Sequence, residues 1–411
     1  MYIREISLTE FKEFAENNEY ANFRQTLSYA VLKAENDYEY EIIGYCDNDN
    51  NIYAAAVVLV KLIDGYLYAY IPSGFLADYT NEGLITEFTE ALYKYYKKEA
   101  IVFIKINPSV PIADINPKNH NINYNDNYHI VRTLEKAGYN KIIEQNGFES
   151  VLPKVNALID LDNFNINNLS KNTKNKIRKG IRKGLTIEKG TIDNINILKE
   201  FVKKKIKRSE YYYNDYFNIF SKENAVDYFL ISIDYDKYII NSQDAYNKEL
   251  KKNQFLNEKV INNPNDKNIN TKMNSDKTLN AYKNDIAIAS KNILENNKEY
   301  IAAALVIKYK NTATIIISGY DKKYKDFAPN YYLYYELCNY YQNEFKYLDL
   351  NGLTSDFSIN NRYYGLNNFK LGFNPKVYEY IGEFDLIINN RVYNHLVKKG
   401  LLEKEFKNNS N

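Results

Sequence analysis

Two stretches of this chain carry the same run of apolar and polar positions. Residues 52–74 read IYAAAVVLVKLIDGYLYAYIPSG, and residues 300–320 read YIAAALVIKYKNTATIIISGY. Each opens on small alanines, continues as an apolar run, breaks at a short polar turn (Asp64-Gly65 or Lys310-Asn311) and resumes as a second run rich in β-formers. That pattern predicts a hairpin twice over. A helix-length segment follows each, Thr86–Lys98 and Tyr331–Tyr341, and then a further strand, 101–107 and 347–352. Chance likeness of two hairpins is the simpler alternative, but the repeated order of four elements favours two copies of one mixed α/β unit.

Between the copies, from about Lys237 to Lys298, the chain turns polar. Leu279, Tyr282, Ile286, Ala289 and Ile293 are spaced 3, 4, 3 and 4, the period of a coiled-coil seam, and Ile239, Tyr246, Leu250 and Leu256 make a weaker stripe. In Asn262–Ser275 only Ile269 and Met273 are apolar enough to enter a core. Two antiparallel helices forming an arm over 237–298 are expected; a disordered polar insert is the competing reading.

Seven of the thirteen residues from Lys171 to Lys183 are Lys or Arg, and none is acidic. On a helix Leu169, Thr173, Ile177 and Ile181 would face inward, with Lys171, Lys174, Arg178 and Arg182 along a neighbouring face. A second cluster runs from Lys203 to Arg208. Overall the chain has 54 basic and 52 acidic side chains, so this basicity is local rather than global. Like charges crowded on one face repel, and an anionic partner relieves that cost. Phosphate or RNA contact is therefore expected, against the plainer reading of a solvated lysine-rich face.

Other chemistry is constrained by what is scarce. The 411 residues suggest two domains. Two cysteines and three histidines, far apart, make neither a disulfide scaffold nor a Cys/His metal site, and no metal or cofactor is expected. No signal-peptide core opens the chain and no apolar run reaches membrane-spanning length, so a cytoplasmic protein is expected. The 42 tyrosines accompany an excess of Asn, Lys and Ile, a bias that an AT-rich genome produces without selection, and they say little about function.

A repeated hairpin–helix–strand unit resembles the GNAT type of acyltransferase fold. The coenzyme A cradle of that fold needs a Gly-rich loop after the hairpin. Here the loops read Ser73-Gly74-Phe75-Leu76-Ala77-Asp78 and Ser318-Gly319-Tyr320-Asp321-Lys322-Lys323, and neither matches. More specifically, the chain resembles the FemABX aminoacyltransferases. The resemblance runs through Phe23-Arg24-Gln25-Thr26, Tyr29 and Lys33; Ile71-Pro72-Ser73-Gly74 with Asp78-Tyr79; Ile104-Lys105-Ile106-Asn107-Pro108; Ser170–Gly184; and Asp349-Leu350-Asn351-Gly352. It is most specific from Tyr364-Gly365-Leu366 through Phe369-Lys370 and Gly372-Phe373 to Tyr380-Ile381-Gly382-Glu383-Phe384-Asp385.

The resemblance implies two tandem GNAT-like domains, 1–155 completed by 376–411 and 156–375, with the helical arm inserted in the second. It implies transfer of an amino acid from aminoacyl-tRNA to the side-chain amine of a lipid-linked or nucleotide-linked muropeptide. Lys370 would steady the tetrahedral oxyanion; Lys33, Arg208, Tyr216 and Asn107 would hold the acceptor; Lys171, Lys174, Arg178 and Arg182 would meet tRNA. Contact with the inner membrane face would be peripheral, through a lipid-linked substrate, and no DNA partner is implied. Asn107 departs from the Asp that some members carry before Pro108. Two further readings stay open: aminoacyl transfer to a different acceptor, and a non-catalytic RNA-binding protein.

Overall fold

The computed structural model describes residues 1–143, 151–203, 209, 211–295 and 298–409. Both predicted hairpins form. Ile52–Ile63 pairs with Tyr66–Ile71, and Tyr300–Tyr309 with Thr312–Tyr320. Each turn opens on a left-handed residue, Asp64 (φ 52°) and Lys310 (φ 50°), a conformation that short polar turn residues accommodate. A helix then crosses to a strand lying parallel to the second hairpin strand. In the first copy these are Glu82–Lys98 and Phe103–Ile106; in the second, Pro329–Tyr341 and Tyr347–Leu353.

Each copy builds its own sheet. The first runs, in spatial order, through Tyr2–Glu5, Glu39–Cys46, Ile52–Ile63, Tyr66–Ile71, Phe103–Ile106, Phe384–Ile387 and Tyr139–Lys141, with Leu76–Ala77 beside the first hairpin strand. The second runs through Leu185–Lys189, Val226–Ile233, Tyr300–Tyr309, Thr312–Tyr320, Tyr347–Leu353, Val155–Asp160, Lys376–Tyr380, Pro111–Ile115 and Ile122–Tyr124. The hairpins and their parallel strands hold matching positions in the two orders. Between the sheets lies a shared core, where Val57, Leu59, Leu230 and Leu305 of the strands meet Phe11, Leu32, Leu198 and Phe220 of the intervening helices. Helices Leu27–Ala34 and Tyr212–Ser221, one from each copy, pack on each other there.

The division expected at 155/156 and 375/376 differs from sheet membership in two places. Pro111–Ile115 and Ile122–Tyr124 pair into the second sheet, through Val377 opposite Ile115. Lys376–Tyr380 also belongs there, and only Phe384–Ile387 returns to the first sheet. The chain therefore crosses between the sheets at 107–110, between Tyr124 and Tyr139, between Lys141 and Val155, and at 381–383. The first and last of these crossings matter for the site described below.

The arm is two long helices, Tyr235–Asn262 and Asp266–Glu295, joined by a turn at 263–265. Asp234 caps its start by accepting from the Lys237 backbone N–H at 2.9 Å. Leu256, Leu279 and Ala289 are buried in the seam as the heptad spacing predicts. The stretch 262–275 corrects the expectation, because Ile269 and Met273 face outward (37% and 51% exposed). The seam there is polar instead: Ser275 donates to Glu249 at 2.6 Å, and Asn253 donates to Asp276 at 2.8 Å and to Ser275 at 3.1 Å. Side-chain hydrogen bonds replace apolar packing, so hydrophobicity alone misreads the register.

The basic helix spans Lys171–Arg182 and is capped by Ser170. Thr173 and Ile177 face inward as expected, but Ile181 is 43% exposed. Gly180 takes the inward place, because a Cβ there would stand 3.0 Å from Tyr332 of the neighbouring helix. Among the described residues, no helix is long and apolar enough to cross a membrane.

Candidate active site

Two of the chain crossings between the sheets, at 107–110 and 381–383, border one cleft of about 190 Å³. Asn107, Pro108 and Ser109 line it from the first crossing, and Gly382 and Glu383 from the second. Strand residues Asn156, Thr314 and Asp349 form its floor in the second sheet, and Arg24 and Tyr380 also face it. The cleft is thus a consequence of the topology: it lies where the two sheets exchange strands.

Lys370 sits next to this cleft on the short helix Tyr364–Leu371. Asn367, one turn earlier and buried, fastens the helix to the end of strand Tyr347–Leu353 by donating to the Thr354 hydroxyl at 2.8 Å. Lys370 shares that inward face, is 6% exposed, and donates to the Gly352 carbonyl at 2.6 Å. The carbonyl is offered by an irregular strand: Asn351 is left-handed (φ 63°), and the register with Val155–Asp160 shifts opposite it. Burial lowers the Lys370 pKa to about 8, against the opposing pull of Asp349. Asp349 is also buried, and burial raises its carboxyl above the ordinary range despite a hydrogen bond from the Asn351 N–H at 2.7 Å and the charges of Arg24 and Lys370. Asp349 is the link, since it lines the cleft while its charge reaches Lys370.

The basic helix abuts this arrangement. The Ser170 N–H donates to the Gly372 carbonyl at 3.0 Å, just past the Lys370 helix. A Cβ on Gly372 would lie 2.2 Å from the Thr173 hydroxyl, so only glycine permits that approach. Lys171 and Arg178 are exposed, and Lys174 donates to the Asn167 carbonyl at 3.1 Å. Arg182 differs: it pairs with Asp285 of the arm and lies over the Tyr282 ring at 4.6 Å. Its charge is partly spent on joining helix and arm.

The residues expected to hold the acceptor are divided. Asn107 lines the cleft, buried and satisfied, accepting from the Ser73 N–H at 2.8 Å and bonded to the Tyr70 hydroxyl. Tyr216 is buried on helix Tyr212–Ser221, stacked on Phe220, with burial raising its pKa well above the usual phenol value. Lys33 lies over the Tyr29 ring at 5.5 Å on the facing helix Leu27–Ala34. Electrostatic influence of Tyr29 and Arg24 on Tyr216 puts Tyr216 and Lys33 in one neighbourhood, and neither of the two lines the cleft. Arg208 lies outside the described residues.

Asp349 and Arg24 are cleft residues to which the sequence alone assigned no role. Asp349 carries the signal of a lone carboxylate between Leu348 and Leu350 in a buried strand. Arg24 stands between Phe23 and Gln25, which are both buried, and lies over the Phe23 ring at 4.4 Å. A charge in either position is costly unless it is used. Among the described residues, no group of three His, Cys, Asp or Glu side chains comes together to hold a metal.

The chain matches the model of the FemAB family over residues 6–398. It is 26% identical to the aminoacyltransferase FemA of Staphylococcus epidermidis, over 96% of this chain and 98% of that one. It is 24% identical to FemA of Staphylococcus aureus strain MRSA252, over 96% and 97%. A crystal structure of FemX superposes with a TM-score of 0.74 at 19% identity, covering 96% of this chain and all of that one.

Proposed function

Since the chain belongs to the FemAB family and is an aminoacyltransferase, we propose that it moves an amino acid from aminoacyl-tRNA to a side-chain amine of a peptidoglycan precursor, extending the interpeptide bridge. The observation that carries this reading is the buried Lys370 ammonium beside a cleft that also contains a carboxylate.

In the reaction the acceptor nitrogen attacks the ester carbon and a C–N bond forms. The carbonyl electrons move onto oxygen, and collapse of that oxyanion expels the ribose oxygen of tRNA. Lys370 supplies a fixed cation for the oxyanion; the Gly352 carbonyl accepts a hydrogen bond from one of its three N–H groups and orients the others. The attacking amine must also lose a proton. Asn107 cannot take one, whereas Asp349 lines the same cleft and its carboxyl has a raised pKa, which makes it the better acceptor. The expelled ribose oxygen takes up a proton. Binding both substrates in one sheltered site supplies much of the remaining acceleration.

The sign of the pH dependence distinguishes roles for Lys370. A cation is lost as pH rises through the Lys370 pKa, so kcat falls above about pH 8. A lysine acting as base would give the opposite limb. We expect the falling limb in the native enzyme and its absence from the residual activity of Lys370→Met.

The basic helix, starting against the Lys370 helix, suits the tRNA acceptor end. Lys171→Gln with Arg178→Gln should weaken tRNA binding and reduce the slope of log K against log salt by roughly 1.5 to 2. An unchanged slope would remove these two residues from the interface. The function itself is tested by incubating the protein with charged tRNA and a lysine-containing muropeptide. The expected product is the muropeptide heavier by one or more aminoacyl residues on its side-chain amine. No increment with any charged tRNA would refute the proposal.

A further inference from the structure

Arg24 and Asp349 line the same cleft, and the Asp349 carboxyl feels the charge of Arg24. They nevertheless form no ion pair. Among the described residues the Arg24 guanidinium makes neither a hydrogen bond nor a salt bridge, and only the Phe23 ring supports it. On the Asp349 carboxyl, one oxygen accepts from the Asn351 N–H. A third residue of this cleft is Asn156, 8% exposed, whose side-chain carbonyl oxygen is buried without a partner. Buried polar atoms are seldom left so, because each forfeits its hydration without recovering a hydrogen bond. The cleft therefore offers an unused planar cation together with unused acceptors. Its complement is a molecule carrying a carboxylate and, a few atoms away, an amine or amide N–H.

The neighbouring cations do not offer the same service. Lys154 is paired with Glu379 at 2.8 Å, and Lys310 donates to the carbonyls of Ala15, Glu16 and Asn18 at 2.9–3.1 Å. Arg24 is the cleft cation whose donors remain available, and guanidinium geometry matches a carboxylate through two parallel N–H···O bonds. The negative Asp349 in the same small space favours a singly charged carboxylate over a doubly charged phosphate.

We propose that Arg24 is a specificity-determining residue that binds a carboxylate of the acceptor peptide and thereby directs an amine of the same peptide toward Asp349. This deepens the function proposed above and rests on it for the identity of the peptide, but the binding step can be measured without transfer.

The test is calorimetric titration of the whole protein with a synthetic lysine-containing tripeptide bearing free carboxylates, and with its fully amidated form. Native protein should bind the free-acid peptide roughly 10- to 100-fold more tightly than the amide. Arg24→Met should lose that preference while binding the amide unchanged, and Arg24→Lys should restore part of it. In the transfer assay, Arg24→Met should raise KM for the free-acid acceptor with kcat within about threefold. Thermal unfolding confirms that the variants are folded. Equal binding of acid and amide by native protein, or an unchanged preference in Arg24→Met, overturns the proposal. If the preference is present and depends on Arg24 but no charged tRNA supports transfer, the carboxylate anchor stands and the transferase reading fails.

Discussion

Lys370→Met is expected to lower kcat for aminoacyl transfer by about 10²–10³-fold with little change in acceptor binding, the loss found when one preorganised oxyanion donor is removed. Methionine keeps the length of the side chain and removes the charge. The same change should make the protein more stable. Burial holds Lys370 near pKa 8, below the ordinary lysine value of 10.5. A folded-state pKa depressed in this way means that binding a proton opposes folding. The penalty is roughly 3 kcal/mol at pH below the folded value, diminishes through the interval above it, and is gone above the unfolded value. Methionine bears no such penalty. Activity falling while the thermal midpoint at pH 7 rises would mark a residue retained for chemistry. A variant that is less stable and only weakly impaired would make Lys370 a structural contact of the Gly352 carbonyl.

Asp285→Ala should produce the largest loss of stability outside the sheets, about 3–5 kcal/mol. Asp285 is 6% exposed and pairs with both Arg182 and Lys183, while the Tyr238 hydroxyl donates to it at 2.9 Å. Removing it leaves two adjacent cations, Lys183 being 7% exposed, with no counter-charge. Burial alone would raise the Asp285 carboxyl, but Lys183, Tyr238 and Arg182 outweigh it and hold the pKa below the ordinary value. The stabilisation is therefore present above the unfolded carboxyl value near 4 and is lost as pH falls through the depressed one. Urea unfolding at pH 7 should show the full difference between native protein and variant, narrowing in acid. Because this contact joins the arm to the basic helix, tRNA affinity should fall as well. A variant with native stability would mean that Tyr238 and solvent suffice to satisfy both cations.

The repeated elements were legible because their signals are local. Apolar runs of β-formers broken at Asp64-Gly65 and Lys310-Asn311 announce hairpins before any partner is known, and the Leu279–Ala289 stripe announces a helix seam. What escaped were features decided by neighbours. Ile181 gave up its inward place to Gly180 because Tyr332 approaches too closely, and Ser275, Glu249 and Asn253 built a polar seam that no apolar period reveals. The strand exchange at 107–110 and 381–383 is a long-range pairing, and it brings Asn107 and Glu383 to the cleft that Asp349 also lines. Lys370 was singled out through resemblance, since a lysine on a short helix otherwise looks like surface. Arg24 and Asp349 were visible as charges amid buried positions, but their meeting across the sheets was not.

The most direct test of a cleft where acceptor amine and aminoacyl ester meet is a structure of the protein with its muropeptide acceptor bound. The account predicts the acceptor side-chain nitrogen between the sheets, within hydrogen-bond reach of Asp349 and on the side facing Lys370. A muropeptide seated elsewhere, with that nitrogen in solvent and away from both residues, would contradict it.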